Sequence, residues 1–193
     1  MNSHARDLTE AEAQEQMILE TIDKWLERDV RPHVLRLDHA DEYPHEMVEQ
    51  MKELGLFGAT IPEEYGGLGL SATTYAKIVE RISTVWMSLT GIFNSHLIMA
   101  ACVTRMGTDE QKADLLPRFA SGALRGGLAL TEPDAGTDLQ AIRTRAVRDG
   151  DGYVVNGTKT WISNGIEGQC FALLVKTNPE ADPRHKGMSM FIA

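Results

Sequence analysis

Two stretches of this sequence carry hydroxyl and aromatic side chains at spacings that could hold a flat polar ring. The first, residues 131–138, is a Pro- and Gly-containing turn bracketed by the hydroxyls of Thr131 and Thr137. Such a turn at the end of a strand leaves backbone N–H groups free, and no basic residue lies inside it. It suits a neutral or weakly anionic ring better than a phosphate chain. The same residue types fit a capped surface loop equally well, because any turn uses Thr, Asp, Pro and Gly.

The second stretch surrounds Asn156-Gly157, a pair that predicts a two-residue hairpin turn when β-rich arms flank it. The two predicted arms are residues 153–155 and 158–162. With that register, the alternation of a strand places Trp161 and Ser163 on one face with Lys159, and Thr160 and Ile162 on the other. We therefore predict one face that offers an indole plane beside a hydroxyl.

Three stretches together resemble the acyl-CoA dehydrogenase family. They are GLFGATIPEEYGGLGLS at 55–71, TEPDAGTD at 131–138 and VNGTKTWISNG at 155–165. They stand in the family's order at plausible separations, and the resemblance runs from about residue 9 to residue 193. It implies a flavoenzyme that binds FAD and converts acyl-CoA thioesters to trans-2-enoyl-CoA in fatty acid metabolism. It also implies electron-transfer flavoprotein as the electron acceptor.

The resemblance further implies which residues contact FAD. In the family the two later stretches hold the isoalloxazine, with the position of Thr131 near its pyrimidine edge and those of Trp161 and Ser163 near the ring face and N5. The implied cofactor-binding residues are Leu128, Ala129, Leu130, Thr131, Thr137, Trp161, Ile162 and Ser163, and Thr137 is also implied to bind substrate. Leu128 stands where the family often has an aromatic residue, and Thr137 where it often has serine.

The implied reaction needs a carboxylate that removes the α proton while the β carbon passes hydride to flavin N5. In the family this base is a Glu in a second helical domain, which follows the β-domain and supplies much of the subunit interface. Glu132 and Asp138 are more simply a turn acid and a cap, so we assign no catalytic residue here. Because the sequence stops at Ala193 inside a predicted strand, we expect this chain alone to be inactive. We expect the full-length protein to be a homotetramer or homodimer.

Composition and charge exclude several other classes of protein. The sequence has 193 residues, of which 42% are hydrophobic, so it can bury a core. Its formal net charge of -9 argues against a general nucleic-acid binder. Cys102 and Cys170 show no Cys-x-x-Cys spacing, which excludes a disulfide scaffold and a thiolate zinc site. No secretory apolar segment is found in residues 1–20, so we expect a cytoplasmic protein.

The hydrophobic pattern changes near Arg125, with helical spacing before it and strand candidates after it. We predict an α+β protein with an all-α helical domain at 1–125 and the start of a β-domain at 126–193. The family's C-terminal four-helix domain is absent from this sequence. We predict an antiparallel sheet, because no βαβ alternation is found. The predicted strands are residues 127–130, 141–148, 153–162, 171–177 and 188–193.

The predicted helices have recognisable ends. Residues 9–12 and 108–111 have the form of capping boxes, and Pro32 is expected to kink or divide the first helix. The uncharged stretch between Arg81 and Arg105 is long enough to cross a membrane, but its Ser, Thr, Asn and His side chains favour a helix buried in protein. Its Asn94-Ser95-His96 segment either lines a pocket or supplies satisfied core polar groups, and we favour the second. His33 and His39 are expected to be solvated.

Two other functions stay open. A flavin monooxygenase or oxidase of the same fold would share the FAD segments, and oxygen consumption would distinguish it from a dehydrogenase. A non-enzymatic helical interaction module would bind no FAD. The lack of a cation between Arg81 and Arg105 argues against a second carboxylate on the acyl group.

Overall fold

The computed structural model describes residues 9–193, which form two compact units. One unit comprises residues 9–54 and 70–90, and the other comprises residues 55–69 and 91–193. The second unit therefore combines the strands with helical segments that precede them in the sequence. The domain boundary near Arg125 stays a prediction.

The first unit is helical. Its elements are α1 (Glu10–Trp25), a π-helical turn (Leu26–Val30), α2 (Val34–Ala40), α3 (His45–Glu53) and the first part of α4 (Ala72–Met106). The predicted capping box is confirmed, because the Thr9 hydroxyl accepts from the Glu12 backbone N–H at 3.3 Å and the Glu12 carboxylate accepts from that of Thr9 at 2.8 Å. The first helix is divided as expected, and Pro32 lies in the turn between Val30 and α2.

The core of the first unit includes Leu26, Val30 and Met51. A hydrogen bond between side chains also joins α1 to α3. The Trp25 indole N–H donates to the Gln50 side chain at 2.8 Å. The helix α4 begins at a Ser71 cap, whose hydroxyl accepts from the Thr74 backbone N–H at 3.1 Å.

The helix α4 loses helical geometry at one residue, Trp86, where φ is -156° and ψ is 103°. It ends where the Gly107 N–H donates to the Val103 carbonyl at 2.8 Å. Its length and hydropathy would permit a membrane span, although the core helix of a soluble protein passes the same test, and half of its most apolar window is buried. The expectation that it spans no membrane stays a prediction.

In the second unit, α5 (Asp109–Ala120) packs beside a buried histidine. The His96 ring is fully buried, its Nε2 lies 3.0 Å from the Phe119 carbonyl, and the rings of Phe57 and Phe119 contact it edge-on. The Ser95 hydroxyl accepts from the Leu128 N–H at 3.4 Å. The prediction of satisfied core polar groups therefore holds only in part: His96 is buried with a partner at Nε2 but none at Nδ1 among the described residues, Ser95 is half-buried, and Asn94 is exposed.

Five strands follow, which confirms the α+β class. They are β1 (Gly126–Ala129), β2 (Arg145–Asp149), β3 (Gly152–Asn156), β4 (Cys170–Lys176) and β5 (Met188–Ile192). Both β1 and β5 pair with Ala172 and Leu173, so they lie on opposite edges of β4. Beyond the end of β1, β2 meets β4 at the Arg145–Lys176 pair, and β3 pairs with β2.

The prediction of an antiparallel sheet is wrong, because the sheet is mixed. Both β1 and β2 run parallel to β4, whereas the β2–β3 and β4–β5 pairs are antiparallel. Parallel strands need a long crossover, which is usually helical. Here the connection 130–169 consists of turns, a short 3-10 helix (Leu139–Ala141) and the β2–β3 hairpin, so the lack of a βαβ pattern did not exclude parallel pairing.

The predicted hairpin around Asn156-Gly157 is also wrong. The hairpin turn lies between Asp149 and Gly152, which pair across β2 and β3, and residues 158–162 lie outside the sheet. A Cβ on Gly157 would lie only 2.3 Å from Oγ1 of Thr144. The glycine there permits a close approach of two backbones rather than a tight turn.

Candidate functional site

A cleft of about 530 Å³ lies in the second unit, beside the sheet. Its lining residues are Ala129, Lys159, Thr160, Trp161, Ile162, Gly165, Phe171, Leu173 and Ala193. The walls come from β1, β4 and the segment 159–165. Among the described residues, no acidic side chain lines the cleft. An apolar cleft with few polar groups is typical of a site for an organic ligand.

The turn that follows β1 is held closed by its own backbone and by the segment 159–165. Glu132 and Ala135 exchange backbone hydrogen bonds of 2.8 and 3.2 Å, and the Thr131 carbonyl accepts from the Thr160 N–H at 2.9 Å. Asp138 accepts from the Gln140 N–H at 3.1 Å, so its predicted role as a cap is confirmed.

The carboxylate of Glu132 joins three parts of the chain. One oxygen accepts from the Thr144 N–H at 2.9 Å, the Thr144 hydroxyl at 2.5 Å and the Lys159 ammonium at 2.9 Å. The other oxygen accepts from the Arg143 N–H at 2.6 Å. The Lys159 ammonium also donates to the Leu130 carbonyl at 2.8 Å. The two charged side chains are nearly buried, with exposed fractions of 9% for Lys159 and 6% for Glu132.

Burial alone would raise the pKa of Glu132, but the hydrogen bonds from Thr144, Arg143 and Lys159 outweigh it and lower the pKa to about 2. A general base needs a pKa nearer the working pH and access to its proton donor. Glu132 therefore has the hydrogen bonds and the pKa of a structural anion, and the absence of a catalytic residue from this chain stays a prediction.

The segment after Lys159 is not a strand. Trp161 and Asn164 have left-handed backbones, with φ of 56° and 63°. The strand alternation that was expected to place Trp161 and Ser163 on one face therefore does not apply. The Trp161 side chain is 90% exposed at the cleft, and the Ser163 carbonyl comes so close to Gly127 that a Cβ there would lie 2.6 Å from it.

Asn164 anchors this segment to the rest of the second unit. Its side-chain amide donates to the carbonyls of Ile92 at 2.9 Å and Gly126 at 2.8 Å. Sequence reasoning missed this residue. The available signal was its type, because asparagine adopts left-handed backbone conformations more readily than most residues and its amide can donate two hydrogen bonds.

The structure brings some of the predicted cofactor-binding residues together and leaves others away from the cleft wall. The predicted residues that line the cleft are Ala129, Trp161 and Ile162, whereas Leu128, Leu130, Thr131, Thr137 and Ser163 do not line it. Thr131 is tied to the lining residue Thr160, and the exposed Thr137 lies further along the turn. The cofactor and substrate contacts of these residues stay predictions. Sequence reasoning missed six lining residues, which are Lys159, Thr160, Gly165, Phe171, Leu173 and Ala193.

Comparison with known proteins matches both parts of the sequence to one family. Residues 12–123 match the acyl-CoA dehydrogenase N-terminal domain, and residues 127–193 match the acyl-CoA dehydrogenase middle domain. The chain is 39% identical to (2S)-methylsuccinyl-CoA dehydrogenase of Cereibacter sphaeroides over 179 residues, which cover 92% of this chain and 32% of the relative.

Two solved structures show the same fold. The acyl-CoA dehydrogenase of Geobacillus kaustophilus has a TM-score of 0.87 and 36% identity, with 98% of this chain and 49% of that chain covered. The Bacillus anthracis acyl-CoA dehydrogenase complexed with FAD has a TM-score of 0.83 and 31% identity, with 98% of this chain and 31% of that chain covered. This chain thus spans half or less of the length of these relatives. With both of its parts matched, the chain belongs to the acyl-CoA dehydrogenase family.

Proposed function

We propose that this chain provides one wall of the FAD site in an acyl-CoA dehydrogenase that converts acyl-CoA thioesters to trans-2-enoyl-CoA. The observation that carries the proposal is the cleft beside Trp161, where an exposed indole borders an apolar wall formed by the sheet. Membership of a family whose solved structures include an FAD complex supports the choice of ligand.

The lining residues fit a flat, largely uncharged ring. Ala129, Phe171 and Leu173 give an apolar surface, and aromatic side chains such as Trp161 favour offset or edge contacts with another ring. The Lys159 charge is balanced by Glu132, so the cleft carries no uncompensated charge from this lysine. When bound, FAD supplies the acceptor for the hydride that leaves the acyl β carbon.

The α proton must be removed by a group that this site does not offer. Among the described residues, no acidic side chain lines the cleft, and Glu132 already accepts four hydrogen bonds. We therefore propose that the catalytic carboxylate lies outside residues 9–193 and that this chain alone does not turn over. General-base catalysis typically contributes roughly 10²–10⁴-fold.

The remaining features of the proposal rest on the family resemblance and the sequence. We propose a homotetramer or homodimer in the cytoplasm that passes electrons to electron-transfer flavoprotein. Thr137 is proposed to contact the substrate. The lack of a cation between Arg81 and Arg105 supports an acyl group without a second carboxylate, which contrasts with the methylsuccinyl-CoA named for the Cereibacter relative.

Reconstitution tests the proposal. The purified full-length protein is mixed with FAD, freed of unbound flavin and examined for a flavin absorbance band, and then saturated acyl-CoAs are added. Retained flavin supports the FAD site, whereas a protein that retains none contradicts it and favours a non-enzymatic interaction module. Enoyl-CoA formed by residues 1–193 alone would show that the base lies within this chain. Oxygen consumption without an added acceptor would favour the oxidase or monooxygenase alternative.

A further inference from the structure

We propose that the buried ion pair of Glu132 and Lys159 is a positioning unit that fixes the spacing of the two segments bordering the cleft and cancels the charge beneath its ligand. The inference rests on the proposed function, because the ligand is taken to be the flavin ring. Neither residue is assigned a part in the chemical step.

The pair acts where the two segments meet. Lys159 donates to the carboxylate of Glu132 and to the carbonyl of Leu130, and the next residue, Thr160, donates its N–H to the Thr131 carbonyl. Three consecutive residues after β1 are therefore bound to two consecutive residues of the other segment. Trp161 follows directly, so the position of its backbone depends on these bonds.

Glu132 extends the same contact to the start of the β2–β3 hairpin. It accepts from the backbone N–H groups of Arg143 and Thr144, and Gly157 passes close to Thr144. Loss of this carboxylate would remove the acceptor of the Thr144 N–H and hydroxyl and would leave the Lys159 ammonium with only the Leu130 carbonyl. A buried donor without an acceptor destabilises the folded protein. Glu132 therefore stabilises the wall of the cleft.

The charges of the pair also bear on the ligand. Lys159 lines the cleft and Glu132 lies behind it, and both side chains are nearly buried, so solvent screens them weakly. Removing the Glu132 charge leaves a net cation at the cleft, which favours reduced flavin because that form gains negative charge. Removing the Lys159 charge leaves a net anion, which favours oxidised flavin. If the pair only held the two segments in place and had no electrostatic effect on the ligand, the two substitutions would not shift the flavin potential in opposite directions.

The first test measures the flavin midpoint potential of the reconstituted protein and of three variants, Glu132→Gln, Lys159→Met and the double variant. Glu132→Gln should raise the midpoint potential and Lys159→Met should lower it. Each shift should correspond to about a tenfold change in the ratio of the dissociation constants for oxidised and reduced flavin. Tenfold corresponds to about 30 mV for a two-electron couple. The double variant should return toward the original potential.

The matched control is Asp134→Asn, which removes one negative charge from the same turn at a carboxylate that is 69% exposed and paired with Arg143. It should shift the potential far less than Glu132→Gln, because solvent screens an exposed charge. Shifts of the same sign in both single variants, or an equal shift in Asp134→Asn, would overturn the electrostatic part of the inference.

The second test needs no flavin. It measures amide hydrogen exchange in the flavin-free protein. The Thr160 N–H should exchange about tenfold faster in Lys159→Met than in the original protein or in the control Asp134→Asn. The amides of α5 serve as an internal reference. Unchanged protection of Thr160 would overturn the positioning role. If the original protein binds no FAD, the proposed function fails, while this exchange measurement still decides whether the pair fixes the two segments.

Discussion

The side-chain amide of Asn164 donates a hydrogen bond to the backbone carbonyl of Gly126 at a distance of 2.8 Å. A second bond from the same amide reaches the Ile92 carbonyl at 2.9 Å. One side chain thus ties the Trp161 segment to β1 and to α4. Asn164 itself has a left-handed backbone, with φ of 63°.

Asn164→Ala should therefore destabilise the protein by about 2 to 4 kcal/mol, since two hydrogen bonds are lost and alanine is strained in a left-handed backbone. The measurement is urea unfolding of each variant. Asn164→Gly serves as the control that separates the two causes, because glycine adopts this backbone freely but cannot form the bonds. It should cost about 1 to 3 kcal/mol. A cost below about 0.5 kcal/mol for both variants would show that the side chain anchors nothing.

Gly127→Ala should disturb the wall of the cleft. The added Cβ would lie 2.6 Å from the Ser163 carbonyl and 2.7 Å from the Ser95 hydroxyl, so the Trp161 segment must shift or β1 must yield. We expect a loss of about 1 to 3 kcal/mol in the free energy of unfolding, as for other overpacking substitutions.

The matched control for Gly127 is Gly136→Ala in the turn after β1. A Cβ at Gly136 would have no neighbour within 4 Å, so we expect a change within about 0.5 kcal/mol. Thermal or urea unfolding compares the two variants. Equal effects at both positions would contradict the close approach of the Ser163 carbonyl to β1.

The stability of the protein should fall as the pH is lowered from about 6.5 to about 4. Burial lowers the pKa of His96 to about 4 from an ordinary value of 6.5, despite the hydrogen bond to the Phe119 carbonyl that raises it. Between these pH values the unfolded chain binds the proton and the folded chain does not, so acid favours unfolding. The expected loss approaches about 3 kcal/mol at pH 4.

Urea unfolding of the original protein and of His96→Gln, measured from pH 7 to pH 4, tests this dependence. The variant should lose most of the pH dependence in that window, because glutamine does not titrate. Glu132 contributes at lower pH, since its stabilisation is complete above about 4.5 and is lost as the pH falls through about 2. An identical pH profile in His96→Gln would contradict the assignment to His96.

The sequence predicted well those features that depend on neighbouring residues. Both capping boxes form, and β4 begins within one residue of its predicted start, because these features follow from local hydrogen bonding and hydrophobic pattern. Strand direction and pairing failed, because the partner of β1 is β4, which lies far along the chain. A turn signal at Asn156-Gly157 could not show that the glycine serves a close approach to Thr144.

The site was predictable in outline through its two characteristic stretches but not in its internal contacts. The pairing of Lys159 with Glu132 joins residues that are 27 positions apart, and nothing in either stretch signals it. A lysine between two threonines in a predicted strand is ordinarily a solvated side chain. The left-handed backbones of Trp161 and Asn164 likewise depend on the contacts that Asn164 makes across the unit.

The central claim, that FAD binds in the cleft beside Trp161, is tested most directly by tryptophan fluorescence during an FAD titration. Of the three tryptophans, Trp25 and Trp86 are 4% and 8% exposed, whereas Trp161 is 90% exposed. Bound flavin should quench the Trp161 emission and protect it from iodide. In Trp161→Phe, the saturable quenching should be largely lost. Flavin absorbance should show that this variant still binds some FAD. Saturable quenching of equal size in Trp161→Phe, or no binding of FAD to the original protein, would contradict the account.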